Sequence, residues 1–359
     1  MTEYVCKSFP TNGGNGNYNY VENSYYQRRA AEVVQGRIED AIMNIFDVKH
    51  LSLTSRICLA DLGCAVGPNT FMSMQNILEC IKKKYHFQFP DAKPPDFMVF
   101  FNDLPSNDFN TLFNSLPLDG CYFAVGVPGS FHGRLFPESS IHLFHSVSSL
   151  HWLSRVPREI FDESSRARNR GRIHYTNAPA EVMNAYKAQF GRDMEEFLSA
   201  RAKEIVLGGI MFITMAGIPD EMVHSQLPAG VMYDILGRCL MEMAKEGVIT
   251  EDQVDSFNLP IYAASCEEMT ELIQRNGSFA IKAMELINPS LGMTGPTNIQ
   301  EWTNHVRAAM EGLFIAHFRA RSVVDEIFDR LGKKLEEDAH LVEASYREKI
   351  VLFAILRRI

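Results

Sequence analysis

What the chain lacks narrows its function first. No segment approaches the roughly 20 apolar residues that cross a bilayer, so no membrane span is expected. Met1-Thr2-Glu3-Tyr4-Val5 offers no charged region running into an apolar one, and a signal peptide is not expected either. Positive charge is scarce: 35 Lys and Arg stand against 44 Asp and Glu, a net charge of −9 over 359 residues. With no basic run, this balance argues against nucleic acid and against anionic membrane surfaces as partners. Seven cysteines, an odd number without a framework, fit a reduced protein of cytoplasmic location. Cys64 has no base beside it in sequence and reads as a structural thiol. Repeats and linkers of shifted composition are also missing, so the chain is one large domain or a core with a cap.

What is present centres on Leu59-Ala60-Asp61-Leu62-Gly63-Cys64-Ala65-Val66-Gly67-Pro68-Asn69-Thr70. Arg56–Ala60 reads as a buried parallel strand, and Phe71–Leu78 has helical spacing. A strand, a glycine turn and a helix start form a ligand cradle, with Gly63 and Gly67 permitting tight backbone. The G-x-G-x-x-G phosphate pattern is absent, because only these two glycines stand in the turn. An acid at the strand's end suits a cationic ligand group, such as the ammonium of a methionine-like tail, better than a phosphate. A second strand, Phe97–Phe101, ends in Asn102-Asp103-Leu104, and an acid there can accept from both hydroxyls of a ribose. A third strand, Cys121–Val127, runs into Pro128-Gly129-Ser130-Phe131-His132-Gly133.

Asp61-Leu62-Gly63-Cys64, Gly67-Pro68-Asn69-Thr70, Asn102-Asp103-Leu104, Asn107-Asp108-Phe109-Asn110, Gly126–Phe131 and His151-Trp152-Leu153-Ser154 together resemble the plant SABATH methyltransferases. These include the salicylic acid, benzoic acid and theobromine methyltransferases. Arg172–Thr176 and Ala200-Arg201-Ala202 look nearest to the loganic and farnesoic acid branch. The resemblance implies an α/β fold, a class I S-adenosylmethionine-dependent methyltransferase (Rossmann-like) core with a helical cap, and S-adenosyl-L-methionine as methyl donor. It places Asp61 at the methionine end, Asp103 and Leu104 at the ribose and adenine, and Ser130 and Phe131 beside the adenine. Ser146 falls near the acceptor side of the cofactor, while Asn69 and Asp108 organise loops. Tyr20, Ser24 and Gln27 match positions lining cofactor and acceptor; Asn23 or Ser24 also suits a helix N-cap.

On the acceptor side the resemblance implies Gln27 and the Trp152 indole as carboxylate donors, with His151 donating or packing. Met232, Tyr233, Val306 and Ala309 map near the pocket wall, and read alone are ordinary core residues. Asn169, Asp255, Phe257 and Asn258 match positions assigned to magnesium in relatives; a turn with an Asx bond explains them equally well. Ser148 stands where relatives carry a bulky aromatic, so the pocket is expected to be wider than one built for salicylate. Methyl transfer to an ionised acid needs no general base, which agrees with the lack of a Ser-His-Asp or paired-carboxylate pattern.

The rest of the chain supports an α/β core interrupted by helical insertions. A helix is expected from Glu22 to Phe46, and others over Ala180–Ala202, Ala229–Glu246, Glu267–Arg275, Asn298–His317 and Ser322–Glu337. Strands are expected at Ile141–Ser146, within Glu204–Thr214, at Phe279–Leu286 and at Lys349–Leu356. The core then comprises 20–218, 277–288 and 346–358, the cap 219–276 and 289–345, and 1–19 a glycine-rich arm expected to be mobile without ligand. Three functions follow: carboxyl O-methylation of a small lipophilic plant acid, N-methylation of a xanthine-type alkaloid, or a receptor for small acids without turnover. A homodimer is expected by resemblance.

Overall fold

The computed structural model describes residues 9–14, 16–48, 56–117, 122–291, 296 and 298–359. Residues 1–8 and Asn15 of the expected arm, and Cys121 at the head of the expected third strand, lie outside the described residues. In chain order the elements are α1 (Tyr20–Asn23), α2 (Tyr25–Ile45), β1 (Arg56–Leu62), α3 (Asn69–Gln88), β2 (Asp96–Asp103), α4 (Phe109–Asn114) and β3 (Phe123–Pro128). Then come β4 (Ile141–Val147), α5 (Ala180–Glu204), β5 (Ile205–Ala216), α6 (Pro228–Lys245), α7 (Glu251–Asp255) and α8 (Cys266–Asn276). The chain closes with β6 (Phe279–Ile287), α9 (Ile299–Phe318), α10 (Arg321–Glu337), α11 (Ala339–Arg347) and β7 (Val351–Arg358).

The strands form one seven-stranded sheet of order β3-β2-β1-β4-β5-β7-β6. The first five in that order pair in parallel, while β7 is antiparallel to both β5 and β6. Chain progression runs outward from β1 in one direction and resumes from β4 in the other. The carboxyl ends of β1 and β4 are therefore the switch point where an open α/β sheet leaves a crevice.

Period-2 alternation assigns each strand's side chains to two cores. Ile57 and Leu59 of β1, with Val351, Phe353 and Ile355 of β7, join α2 and α3 on one face. Ala60 and Leu62, with Leu352, Ala354 and Leu356, join α5 on the other. A third core is made without the sheet, by α6, α9, α10 and α11 around Leu236, Leu240, Phe314 and Phe328. These are the segments assigned to the cap from sequence. One differs: α8 packs against α5 and β6, burying Met269, Leu272 and Ile273 in the sheet's own second core.

The helix expected from Glu22 is broken at Ser24. Asn19 caps the short α1, accepting from Glu22 N–H at 2.9 Å, whereas the Ser24 side chain makes no capping bond. The described part of the arm lies docked: Asn12 N–H donates to Ala308 O at 2.9 Å and Gly14 N–H to Asp108 Oδ2 at 3.0 Å.

Candidate active site

The switch point opens into a cleft of about 1440 Å³ whose floor is the turn after β1. Gly63 adopts φ +83, and a Cβ there would stand 2.0 Å from Ser149 Oγ, so only glycine lets the β1 turn pass the β4 turn. Its N–H donates to Asn102 O at 2.8 Å, and Asn102 Nδ2 donates to Val127 O and Gly129 O, tying the ends of β1, β2 and β3 together. Asp103 follows, half-buried on the cleft wall, and accepts from Ala65 N–H at 2.8 Å and Leu104 N–H at 2.7 Å. Burial lifts its pKa to about 6, against the lowering effect of those two bonds. Ser130, Phe131 and Leu104 line the same cleft. The loop carrying Phe131 is pinned from below by Arg201, which donates to Phe131 O at 2.7 Å and pairs with the buried Glu204 at 2.6 Å.

A second cavity of about 1110 Å³ adjoins the first and is largely apolar. Thr11, Tyr20, Ser148, Trp152 and Ala309 line both, so a group passed between their occupants crosses there. Of the acceptor residues expected from sequence, Gln27, His151, Met232, Tyr233 and Val306 also line this cavity. Ser148 lies at the junction itself, with φ 56 at the turn out of β4.

Three imidazoles in this wall are held uncharged. His151 Nδ1 accepts from Ala216 N–H at 3.5 Å, which leaves the proton on Nε2, and burial drops its pKa to about 4. His305 donates from Nδ1 to Asn23 O at 2.9 Å, so its Nε2 accepts from Gln27 Nε2 at 3.4 Å. That contact fixes the amide of Gln27 and leaves Gln27 Oε1 buried without a partner. His305 and His174, the latter donating to Ile261 O at 3.0 Å, are pushed to about 4 and about 3 by burial. His305, His174, Trp302 and Lys349 were not singled out from sequence. For His305 a signal existed, because on α9 it precedes Val306 and stands one turn before Ala309, on the same helix face.

Four expected cofactor residues face inward instead. Asp61 is buried, its Oδ1 bonded to His145 Nδ1 at 2.7 Å and its Oδ2 taken by Thr70 Oγ1, so it braces the cradle without reaching the cleft. Ser146 donates to Leu62 O at 3.0 Å, and Asn69 Nδ2 donates to Ser24 Oγ at 2.9 Å. Ser24, Asn69 and Ser146 thus join strand ends and helix starts. Sequence alone places a residue at the end of a strand but does not say which way its side chain turns.

The magnesium reading was tested on the donors present. Asn169 Nδ2 donates to Asn258 Oδ1 at 2.6 Å, Gly171 N–H takes Asp255 Oδ1 at 2.7 Å, and Phe257 packs on Phe314 at 4.6 Å. Asn169 Oδ1 is unpartnered, but so is Asn258 Nδ2, a donor where a cation requires acceptors. One free amide oxygen and one engaged carboxylate fall short of an oxygen shell. Among the described residues no three His, Cys, Asp or Glu side chains are grouped to hold a metal. These residues form a clasp between two loops, and their side chains alone do not make a magnesium shell.

A switch-point cleft with an acid on its wall, opening on a largely apolar second cavity, suits a two-substrate transferase with a nucleoside cofactor. Comparison with known proteins agrees: the sequence profile of the SAM dependent carboxyl methyltransferases matches residues 6–359. The chain belongs to that family. It is 42% identical over 359 residues to a loganic acid O-methyltransferase of Catharanthus roseus, spanning 99% of this chain and 95% of the relative. A farnesoic acid carboxyl-O-methyltransferase of Arabidopsis thaliana is 39% identical over 288 residues, 80% of this chain and 82% of that one. A 3,7-dimethylxanthine N-methyltransferase of Camellia sinensis var. assamica stands at 33% over 97% of this chain and 95% of its own. The solved structure of a loganic acid methyltransferase with SAH superposes with a TM-score of 0.92 at 41% identity, covering 97% of this chain and 98% of the other. The fold is therefore that of a class I S-adenosylmethionine-dependent methyltransferase, and the Gly63 turn with Asp103 fits that cofactor.

Proposed function

We propose that the protein methylates the carboxylate of a small, largely lipophilic plant acid, giving its methyl ester. S-adenosyl-L-methionine, when bound, supplies an electrophilic methyl on a sulfonium. The observation carrying this reading is the junction at Tyr20, Ser148 and Trp152, flanked by imidazoles held neutral. A carboxylic acid is ionised at neutral pH and needs no base. Gln27 and His151 Nε2–H serve as donors that orient the acid, and the apolar wall excludes water. Two opposite charges become neutral products, so a dry cavity favours the step relative to water. The protein's work is alignment of oxygen, methyl carbon and sulfur.

N-methylation of a xanthine would require a group to take the ring N–H proton. His151 is poorly suited, because its free nitrogen already carries a proton and its pKa lies near 4. The resemblance to a xanthine N-methyltransferase is correspondingly the more distant one. The five described cysteines are free thiols, which supports the cytoplasmic part of the proposal. The homodimer remains part of it, to be read by light scattering. Incubation with labelled S-adenosylmethionine and a panel of plant acids and xanthines tests the reaction. The expected product is a methyl ester whose label is released by alkali; alkali-stable label on a xanthine would overturn the carboxylate assignment.

A further inference from the structure

Among the residues that line the acceptor cavity but not the cofactor cleft stands a lysine that the reaction does not use. Lys349 precedes β7 in a short extended connection and lines the cavity with Gln27 and His305. Its Nζ lies 4.3 Å from the Trp302 ring centroid, 4.7 Å from Tyr26 and 4.9 Å from Tyr346, a cage of three aromatic rings. Tyr26 meets Tyr346 at 6.3 Å and Trp302 meets Tyr346 at 5.6 Å, both edge-on, so the cage is itself packed. Lys349 N–H donates to Tyr346 O at 3.5 Å, and among the described residues no charged group offsets the effect of burial on its side chain.

Such an arrangement is unusual for a lysine. Its residue surface is only partly covered, yet the ammonium is enclosed, and burial pushes its pKa down to about 7. Ring faces attract a cation but accept none of its hydrogen bonds in the way an oxygen does. An ammonium set among rings keeps its hydrogen-bond donors available to an oxygen in the cavity. The space it borders among the described residues is the acceptor cavity.

We propose that Lys349, held by Tyr26, Trp302 and Tyr346, binds a second oxygen-bearing group of the acceptor acid, a hydroxyl or a further carboxylate. The acceptor is then an acid with one carboxylate at the junction and an oxygen substituent beside Lys349, in the part of the cavity that the cofactor cleft does not share. Lys349 contacts substrate but not the reacting atoms, so it sets specificity and not chemistry. The inference rests on the carboxyl-methylation reading and narrows its substrate class.

Steady-state kinetics over size-matched acids tests it: plain hydrocarbon acids, the same skeletons carrying a distal hydroxyl, and dicarboxylic acids. Wild type is expected to favour the oxygenated acids by at least about tenfold in kcat/KM. Lys349→Met should raise KM for those acids roughly 10- to 100-fold, the loss of a charged hydrogen bond, and leave hydrocarbon acids unchanged. Lys349→Arg keeps the donors and should retain the preference. Calorimetry with S-adenosylhomocysteine shows that each variant is folded, and unchanged affinity is expected. An equal loss on every acid, or no loss on any, would overturn the assignment of Lys349 alone. Failure of wild type to methylate any acid would overturn the carboxylate reading and this inference together.

Discussion

Asp103 sits under opposed influences. Enclosure beside the cleft raises its pKa to about 6, two backbone N–H bonds oppose the rise, and the nearby Asp61 adds to it. A ligand that donates hydrogen bonds favours the ionised form, so binding and ionisation are linked. Cofactor affinity is then fully present above about pH 6 and declines as pH falls through that value, by at most about tenfold per unit. Calorimetric titration with S-adenosylhomocysteine from about pH 5 to 8 should show this fall. Asp103→Asn, similar in shape, should weaken binding roughly 10- to 100-fold at neutral pH and flatten the profile. Affinity that is pH-independent in wild type, or unchanged in the variant, would remove Asp103 from the ribose site.

At the scale of elements, the turns after β1 and β4 act as one part. Gly63→Ala would force a Cβ to within 2.0 Å of Ser149 Oγ and 2.5 Å of Ser149 Cβ, at a φ that alanine disfavours by about 1–2 kcal/mol. Ser149 must move, and Ser148 at the junction moves with it. Displacement near 1 Å can cost about 100-fold in rate, so kcat should fall by that order while the sheet, reported by far-UV circular dichroism, persists. Normal turnover in this variant would mean the two turns are not coupled. The arm is a second part of this kind. Thr11 lines both cavities, and its neighbours hold on by few bonds, Asn12 to Ala308 and to Glu311 at 2.7 Å, Gly14 to Asp108. Hydrogen exchange at Asn12 and Gly14 should slow when cofactor product and acid are both present, and equal exchange with and without ligands would show that the arm is fixed. These elements also show how far sequence reading reaches. Strands whose alternation feeds two cores, such as Val351–Arg358, were legible within a residue or two, because burial on both faces demands an apolar run. The start of α2 after Ser24 agrees with the N-cap expected at Asn23 or Ser24, but the separate turn of helix Tyr20–Asn23 ahead of it was not legible. The cavity wall was legible where a motif carried it, at Gln27, His151 and Trp152. His305 could have been read from its place beside Val306 and one turn before Ala309, whereas Lys349 arrives on a connection far along the chain and only the third dimension gives it neighbours.

For the whole molecule, the acceptor cavity is where distant segments meet and bury three imidazoles. His151 follows β4, His174 precedes α5 and His305 lies on α9, and burial lowers the pKa of each, to about 4, about 3 and about 4. An unfolded histidine titrates near 6.5. Below that value the unfolded chain takes up protons that the folded cavity refuses, so folding loses stability as pH falls from about 6.5 toward 4. At pH 5 the loss is on the order of 1–2 kcal/mol per histidine. Asp103 acts in the opposite direction, since its raised pKa relieves the folded state on acidification below about 6. Lys349 is already protonated throughout this range and adds a constant cost, relieved only as pH rises from about 7 toward 10.5. Three imidazoles outweigh one carboxyl, so the melting temperature should fall steadily between about pH 7 and 5. His305→Asn removes one of the refusing groups, and its melting temperature should decline with a shallower slope over the same interval. The comparison of slopes isolates the titration from any general weakening caused by losing the contacts to Asn23 and Gln27. A wild-type melting temperature that holds or rises down to pH 5, or a variant slope equal to wild type, would mean that water enters this cavity and that its histidines titrate freely.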